Sequence, residues 1–386
     1  MTFSAFNTVS RIVHNWGCIQ ALPEEIKKLS KNAAKVLIVS DPGIEAAGIL
    51  DKVVSILSAA GLQSGVFSKV QSDPAFDSAE ASIAFGQDYK PDVVVGIGGG
   101  SSLDIAKLTA AMLTNSGPIA RYVGMELIEN PGLPLILIPT TAGTGSEVTS
   151  ICVLSDTANK VKKGIVSQHL YARMVLLDPE LTTGLPPRVT AMTGMDALVH
   201  AIESYTGKRA TPFTDALNLE AIRFIGANLR KAYNNGQDRQ AREKMQYASC
   251  MAGMAFSNTQ NGLDHALALA IGGRFHLPHG LLTAFILPWV MGFNMEANPR
   301  KFANIVRAMG EAPEGISDTE GARLAVSAVQ ALLDDLSIST KLSSYDIPRE
   351  VFPDIAKATV GAVRLISNNP RDVSEKDVIE LLEANY

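Results

Sequence analysis

Asp196 and His200 stand four residues apart in GMDALVHAIESY (194–205), a stretch of helical period, so both side chains project from one face of a helix. His265 and His279 lie fourteen apart in GLDHALALAIGGRFHLPHG (262–280), separated by a helical run and a Gly-Gly break. One carboxylate and three imidazoles form a donor set suited to Fe²⁺ or Zn²⁺. An Asp and a His one turn apart are ordinarily a surface contact, so the first pair gains weight only from the second segment. Of six histidines, three hold these positions. His276 is a nearby extra, and His14 and His169 have no partner in sequence.

A second chemistry lies earlier. Gly96-Ile97-Gly98-Gly99-Gly100-Ser101-Ser102 follows an apolar strand and opens a helix. Glycines let the backbone approach a ligand closely, and the free N–H groups of the helix start face an anion, which suits a pyrophosphate. A lone glycine run is as often a plain strand-to-helix turn; the strand before it and the helix after it favour the binding reading. A second polar loop, PTTAGTGSEVT (139–149), also follows an apolar strand, and its hydroxyls suit ribose or phosphate. Alone, it reads equally as a helix cap with Glu147 in the first turn. Asp41 ends a strand before Pro42-Gly43, where its carboxylate is either an ordinary turn residue or an acceptor for a ribose that repels a 2′-phosphate.

These groups need scaffolds of two kinds. KVLIVS (35–40), GVFSKV (65–70), DVVVGI (92–97) and LPLILIP (133–139) read as buried strands, with helices at 48–60 and 101–113 between them. Strand and helix in alternation predict a parallel sheet covered on both faces. ICVLSD (151–156), KGIVS (163–167) and RMVLLD (173–178) extend this half. After Leu185-Pro186-Pro187 the chain is rich in Ala, Leu and Met with helical period. We therefore expect an α/β plus all-α protein: a Rossmann-like parallel-sheet domain over 1–185 and a helical metal-binding domain over 186–386. A length of 386 residues with 46% apolar residues supports two cores. The net charge of −5 without a basic run argues against nucleic acid. The start shows no secretory pattern, and apolar runs such as AFILPWVMGF are too short to span a bilayer. Three scattered cysteines read as reduced thiols in the cytoplasm.

In this order, GIGGGSSLDIAK (96–107), PTTAGTGSEVT, KKGIVS (162–167), LLDPELT (176–182), GMDALVHAIESY and GLDHALALAIGGRFHLPHG resemble the iron-containing (group III) alcohol dehydrogenases of the dehydroquinate synthase-like fold. The resemblance runs along almost the whole chain. It implies metal ligation by Asp196, His200, His265 and His279, and dinucleotide contacts at Asp41, Gly98, Gly99, Gly100, Ser101, Thr140, Thr141 and Lys162. By itself Lys162 reads as one solvated charge in a run with Lys160 and Lys163. The resemblance also implies a cleft between the domains. The implied activity is hydride transfer between NAD(H) and a small alcohol or aldehyde, aided by Fe²⁺ (or Zn²⁺) as a Lewis acid, with no catalytic residue beyond the metal site. Alternatives are a glycerol-type polyol dehydrogenase, a carbon–oxygen lyase on the same fold, or a dinucleotide- and metal-binding protein without turnover. We expect a homodimer or higher homo-oligomer, with no nucleic-acid or membrane partner. One departure stands out. The family's second histidine, one turn after His265, is Leu269 here, and the next residue is Ala270. Asp264 replaces an apolar residue and would bring a carboxylate close if it faces the cleft.

Overall fold

A computed structural model of the chain describes residues 5–157, 161–275 and 277–386, so His276 and Lys160 lie outside the described residues. Two compact units emerge: Asn7–Gly184, and Leu185–Tyr386, with which Phe6 groups. The Phe6 ring lies 6.3 Å from that of Phe213.

The first unit is built on a six-stranded sheet. Its strands are β1 (Ile12–His14), β2 (Lys35–Val39), β3 (Gln63–Phe67), β4 (Val93–Gly98), β6 (Leu135–Pro139) and β9 (Met174–Leu177), ordered β1-β9-β6-β4-β2-β3, and every pairing is parallel. β4, β6 and β9 are buried throughout and β2 at all but its first residue, as strands covered on both faces must be. The expected parallel sheet is present. Three residues are too few for β1 to show a period in sequence, and β3 begins at Gln63 rather than at Gly65.

ICVLSD and KGIVS do not join this sheet. They form β7 (Ile151–Asp156) and β8 (Val161–Val166), an antiparallel pair that, with β5 (Gly124–Met125), makes a separate three-stranded sheet ordered β5-β8-β7. Both are less buried than the strands of the main sheet: β7 buries Cys152 and Leu154 on either side of the exposed Val153, and β8 buries only Ile165.

Strand order reverses at β2. The chain runs from β2 to β3 at one edge, then returns to β4 on the other side of β2. The carboxyl ends of β2, β4 and β6 are therefore neighbours, and they carry Asp41, the glycine turn and Thr140-Thr141. Such a reversal is where open α/β sheets bind ligands. Gly96 lets the next helix, Gly100–Met112, lie close on β4, because a Cβ there would stand 2.5 Å from that of Ala106.

From Pro187 onward every regular element among the described residues is helical, in agreement with the all-α expectation. The helices Pro187–Thr206, Pro212–Asn234 and Arg239–Thr259 pack on one another, and Leu263–Phe275 and His279–Asn294 pair beside them. The run AFILPWVMGF belongs to a longer apolar segment, His279–Ala297, which is long and apolar enough to cross a membrane. Because 67% of its most apolar stretch is buried inside the fold, it is a core helix.

The end of the glycine motif has a structural task. Lys107 is fully buried, and its ammonium donates to Asp104 Oδ1 (3.1 Å), Thr149 Oγ1 (3.1 Å) and the Ile151 carbonyl (2.8 Å). Asp104 in turn accepts from Ser146 Oγ (2.6 Å) and the Val153 N–H (2.9 Å). These bonds clamp the helix Gly100–Met112 to the second polar loop. Glu147 of that loop is buried, and burial pushes its carboxyl up to about 7, with Lys107 partly opposing the rise. A raised acid holds its proton in the folded chain after the unfolded chain has lost it. Stability should therefore fall as pH rises from about 4.5 to 7, by about 3 kcal/mol for this group. We expect Glu147→Gln to reduce that decline, seen as a larger gain in urea midpoint at pH 8 than at pH 5. Equal gains at both pH values would remove Glu147 as the cause.

Candidate functional site

The helix Pro187–Thr206 carries Asp196, His200 and Glu203 at positions i, i+4 and i+7, one buried face. His265 lies in the first turn of Leu263–Phe275, and His279 opens His279–Asn294, with Thr283 one turn later. One ligand atom each from Asp196, His265 and His279 lie within 4.8 Å of one another. Bonds of about 2.0–2.2 Å to a shared ion place neighbouring donors roughly 3–4.5 Å apart, so small side-chain movements suffice to close this group. His200 stands beside it: its ring stacks on His265 at 4.7 Å and on Phe256 at 4.2 Å. The structure thus gathers three of the four expected ligands as a donor cluster, with the fourth in ring contact.

Two details prepare the cluster for a cation. His265 Nδ1 lies 2.7 Å from Glu203 Oε2, which orients the ring, and its Nε2 is buried with no hydrogen-bond partner among the described residues. A buried polar atom left unpaired is costly, and a metal ion would relieve that cost. Burial alone would raise the Asp196 carboxyl. The three imidazoles and the Thr283 hydroxyl, which donates to Oδ1 at 3.1 Å, more than offset this and hold it below its ordinary value. The residues present therefore fit a divalent iron or zinc.

Asp264 does not face an open wall. It is fully buried, and neither carboxylate oxygen has a partner among the described residues. Burial, then the charges of Glu203 and Asp196, push its pKa well above the ordinary carboxylate value. Leu269 lies one turn beyond His265 on the same helix face and is partly exposed.

The dinucleotide candidates gather separately in the first unit. Asp41 caps the short helix Pro42–Ala46: Oδ1 accepts from the N–H groups of Gly43 (3.0 Å) and Ile44 (3.2 Å). Its Oδ2 accepts from Ser102 Oγ at 2.7 Å, and Gly98, at φ +144°, leaves the space where these two meet. Asp41 is thus both a turn residue and a carboxylate at the glycine turn. Thr140 donates its N–H to the Gly98 carbonyl (3.0 Å), while its buried hydroxyl has no partner among the described residues. Thr141 reaches 3.5 Å from where a Cβ of Gly99 would stand, and Thr144 crowds Gly100. Lys162 reaches the same turn through Asp73. The two are ion-paired, and the Asp73 N–H donates to Ser101 Oγ at 3.3 Å. Burial pulls the Lys162 ammonium down to about 8, and the Asp73 carboxylate works the other way.

Sequence reasoning missed Glu203, Thr283 and Asp73. Glu203 alone carried a signal, since it continues the Asp196–His200 face by one more turn. Asp73 and Thr283 are joined to the site by long-range folding.

The profile described as iron-containing alcohol dehydrogenase matches residues 9–179, and that of the Fe-containing alcohol dehydrogenase family, C-terminal, matches 190–386. The chain is 46% identical over 381 residues to a sulfoacetaldehyde reductase of Bilophila wadsworthia, covering 98% of both chains. A crystal structure of a 1,3-propanediol oxidoreductase superposes with a TM-score of 0.96 at 36% identity, covering 100% of each chain. A sulfoacetaldehyde reductase from Bifidobacterium kashiwanohense, solved in complex with NAD⁺, gives 0.89 at 25% identity, covering 100% of this chain and 99% of that one.

The Glu203–His265 contact generates a prediction. Glu203→Gln removes the charge that orients and strengthens the imidazole, so affinity for Zn²⁺ should fall about 10–100-fold in a chelator competition. Wild-type affinity in that variant would show that Glu203 has no such role.

Proposed function

The chain belongs to the iron-containing alcohol dehydrogenase family, whose members are alcohol and aldehyde oxidoreductases, and on that premise we propose that Asp196, His200, His265 and His279 hold its divalent iron or zinc. The unpartnered, buried Nε2 of His265 beside Asp196 and His279 carries this reading. When bound, the metal supplies Lewis acidity to the substrate oxygen. The proposed cofactor is NAD, and the reaction balances as aldehyde + NADH + H⁺ → alcohol + NAD⁺.

Each residue then has a definable task. Asp196 contributes one negative charge, so the four ligands leave a divalent site net positive and favourable to a developing alkoxide. Glu203 holds His265 in register. Leu269 neither gives nor takes a proton, so the proton of the reaction exchanges with water. It would also offer the carbon chain of the substrate an apolar side chain one turn beyond His265. In the other unit, Gly98 to Ser101 and the hydroxyls of Thr140 and Thr141 would receive the pyrophosphate and ribose, and Lys162 would add a positive charge beside them. The carboxylate of Asp41 would disfavour a 2′-phosphate and so select NAD over NADP. We also place the enzyme in the cytoplasm as a homo-oligomer acting on a small alcohol or aldehyde; the free thiols of Cys18 and Cys152 agree with a reducing compartment.

Two measurements test this reading. His279→Ala should lose metal and turnover together, the first by elemental analysis and the second as NADH absorbance with an aldehyde panel; full metal occupancy would overturn the ligand set. Wild type should favour NAD over NADP by about tenfold to a hundredfold in kcat/KM, reflecting a like-charge clash of about 1–3 kcal/mol. Asp41→Asn keeps an acceptor for the Gly43 and Ile44 N–H groups while removing the charge, so it should narrow that ratio. An unchanged ratio would clear Asp41 of the role.

A further inference from the structure

Arg364 lies in the four-residue helix Val363–Ile366, which packs against Leu263–Phe275, the helix of His265 and Leu269. Two contacts fix how the two segments run. Near the end of the longer helix, Arg274 donates to Asp354 at 3.2 Å; at its start, the Leu263 N–H donates to Asn369 Oδ1 at 3.3 Å. The chain from Asp354 to Asn369 therefore passes antiparallel along this helix. Between these two contacts the short helix that carries Arg364 packs on the helix that carries His265 and Leu269.

The Arg364 guanidinium is partly buried and makes no hydrogen bond or ion pair among the described residues. Burial lowers its pKa, and a second cation, Arg209, lowers it further. Arg209 is held on the adjoining segment, where its N–H donates to Asn368 Oδ1 at 2.9 Å. The acidic side chains flanking this stretch are engaged elsewhere, Asp372 by Lys208 at 2.7 Å and Asp354 by Arg274. An arginine with a buried stem ordinarily sends its head to water. Here the head is partly desolvated, adjoins a like charge, and lacks any carboxylate, a combination that an incoming anion relieves.

We propose that Arg364, backed by Arg209, receives an anionic group at the far end of a short aldehyde or alcohol, making it a specificity-determining residue of this enzyme. The inference rests on reading the Asp196–His200–His265–His279 cluster as the place where the substrate oxygen reacts. Leu269 then lines the carbon chain between the two ends, and the five-donor guanidinium suits the oxygens of a sulfonate, carboxylate or phosphate.

The test uses metal-loaded enzyme, NADH and a series sharing one aldehyde core: sulfoacetaldehyde, 3-oxopropanoate, glycolaldehyde phosphate and propanal. At least one anionic aldehyde should exceed propanal at least tenfold in kcat/KM, and the best of the three identifies the anion. In Arg364→Met that ratio should fall at least tenfold, chiefly through KM, and Arg364→Lys should restore part of it. Ethanesulfonate should compete with propanal in the wild type whereas dimethyl sulfone should not, a measurement that needs no variant to fold. Propanal turnover without anionic preference, an unmoved ratio in Arg364→Met, or absence of competition by ethanesulfonate would each overturn the anion site while leaving the metal reading intact. Metal-loaded protein that reduces none of the four would overturn both.

Discussion

The proposed metal site depends on the 2.7 Å contact between Glu203 and Nδ1 of His265. An imidazole can offer either nitrogen to a metal, and the hydrogen bond on one decides that the other is available. Glu203 does more than orient the ring. Its other oxygen accepts the Asp264 N–H at 2.7 Å, placing a carboxylate on the free amides that begin the helix Leu263–Phe275, where negative charge is favourable. Next to it, Asn369 accepts the Leu263 N–H and exchanges hydrogen bonds with Asn294 at 2.9 and 2.8 Å. His265, the start of its helix and the end of the next helix are thereby tied into one buried network. Displacing any one of them strains the others.

The glycine motif divides its residues between two tasks. Gly98 to Ser101 form the turn, while Asp104 and Lys107 fasten its helix to the polar loop that follows β6. A pyrophosphate needs amides held still before it arrives, because motion frozen on binding is subtracted from affinity. The buried ammonium of Lys107, with three oxygen partners, would provide that stiffness for the proposed dinucleotide site.

Much of this was legible in the amino-acid order, for identifiable reasons. β4 and β6 are uninterrupted apolar runs, which is how strands buried on both faces must read. Asp196 and His200 follow the helical period, and His265 and His279 stand in a second segment that supplies compatible donors. Other parts were not legible. β7 and β8 carry β-branched residues as the strands of the main sheet do, and only their antiparallel pairing, a tertiary property, separates them into a second sheet. Asp73 lies 89 positions before Lys162, and no local pattern announces that pairing. The burial of Asp264 follows from its place beneath Glu203, whereas its sequence neighbours indicate only a helix start.

The helix His279–Asn294 carries a consequence for biosynthesis. It packs against three helices, Pro187–Thr206, Leu263–Phe275 and Asp318–Asp335, and only the first two precede it in the chain. During translation, the most apolar segment of the protein therefore leaves the ribosome before one of its covering helices exists. For that interval its uncovered side is a hydrophobic surface open to chaperones and to other nascent chains, and emergence of Asp318–Asp335 ends the exposure.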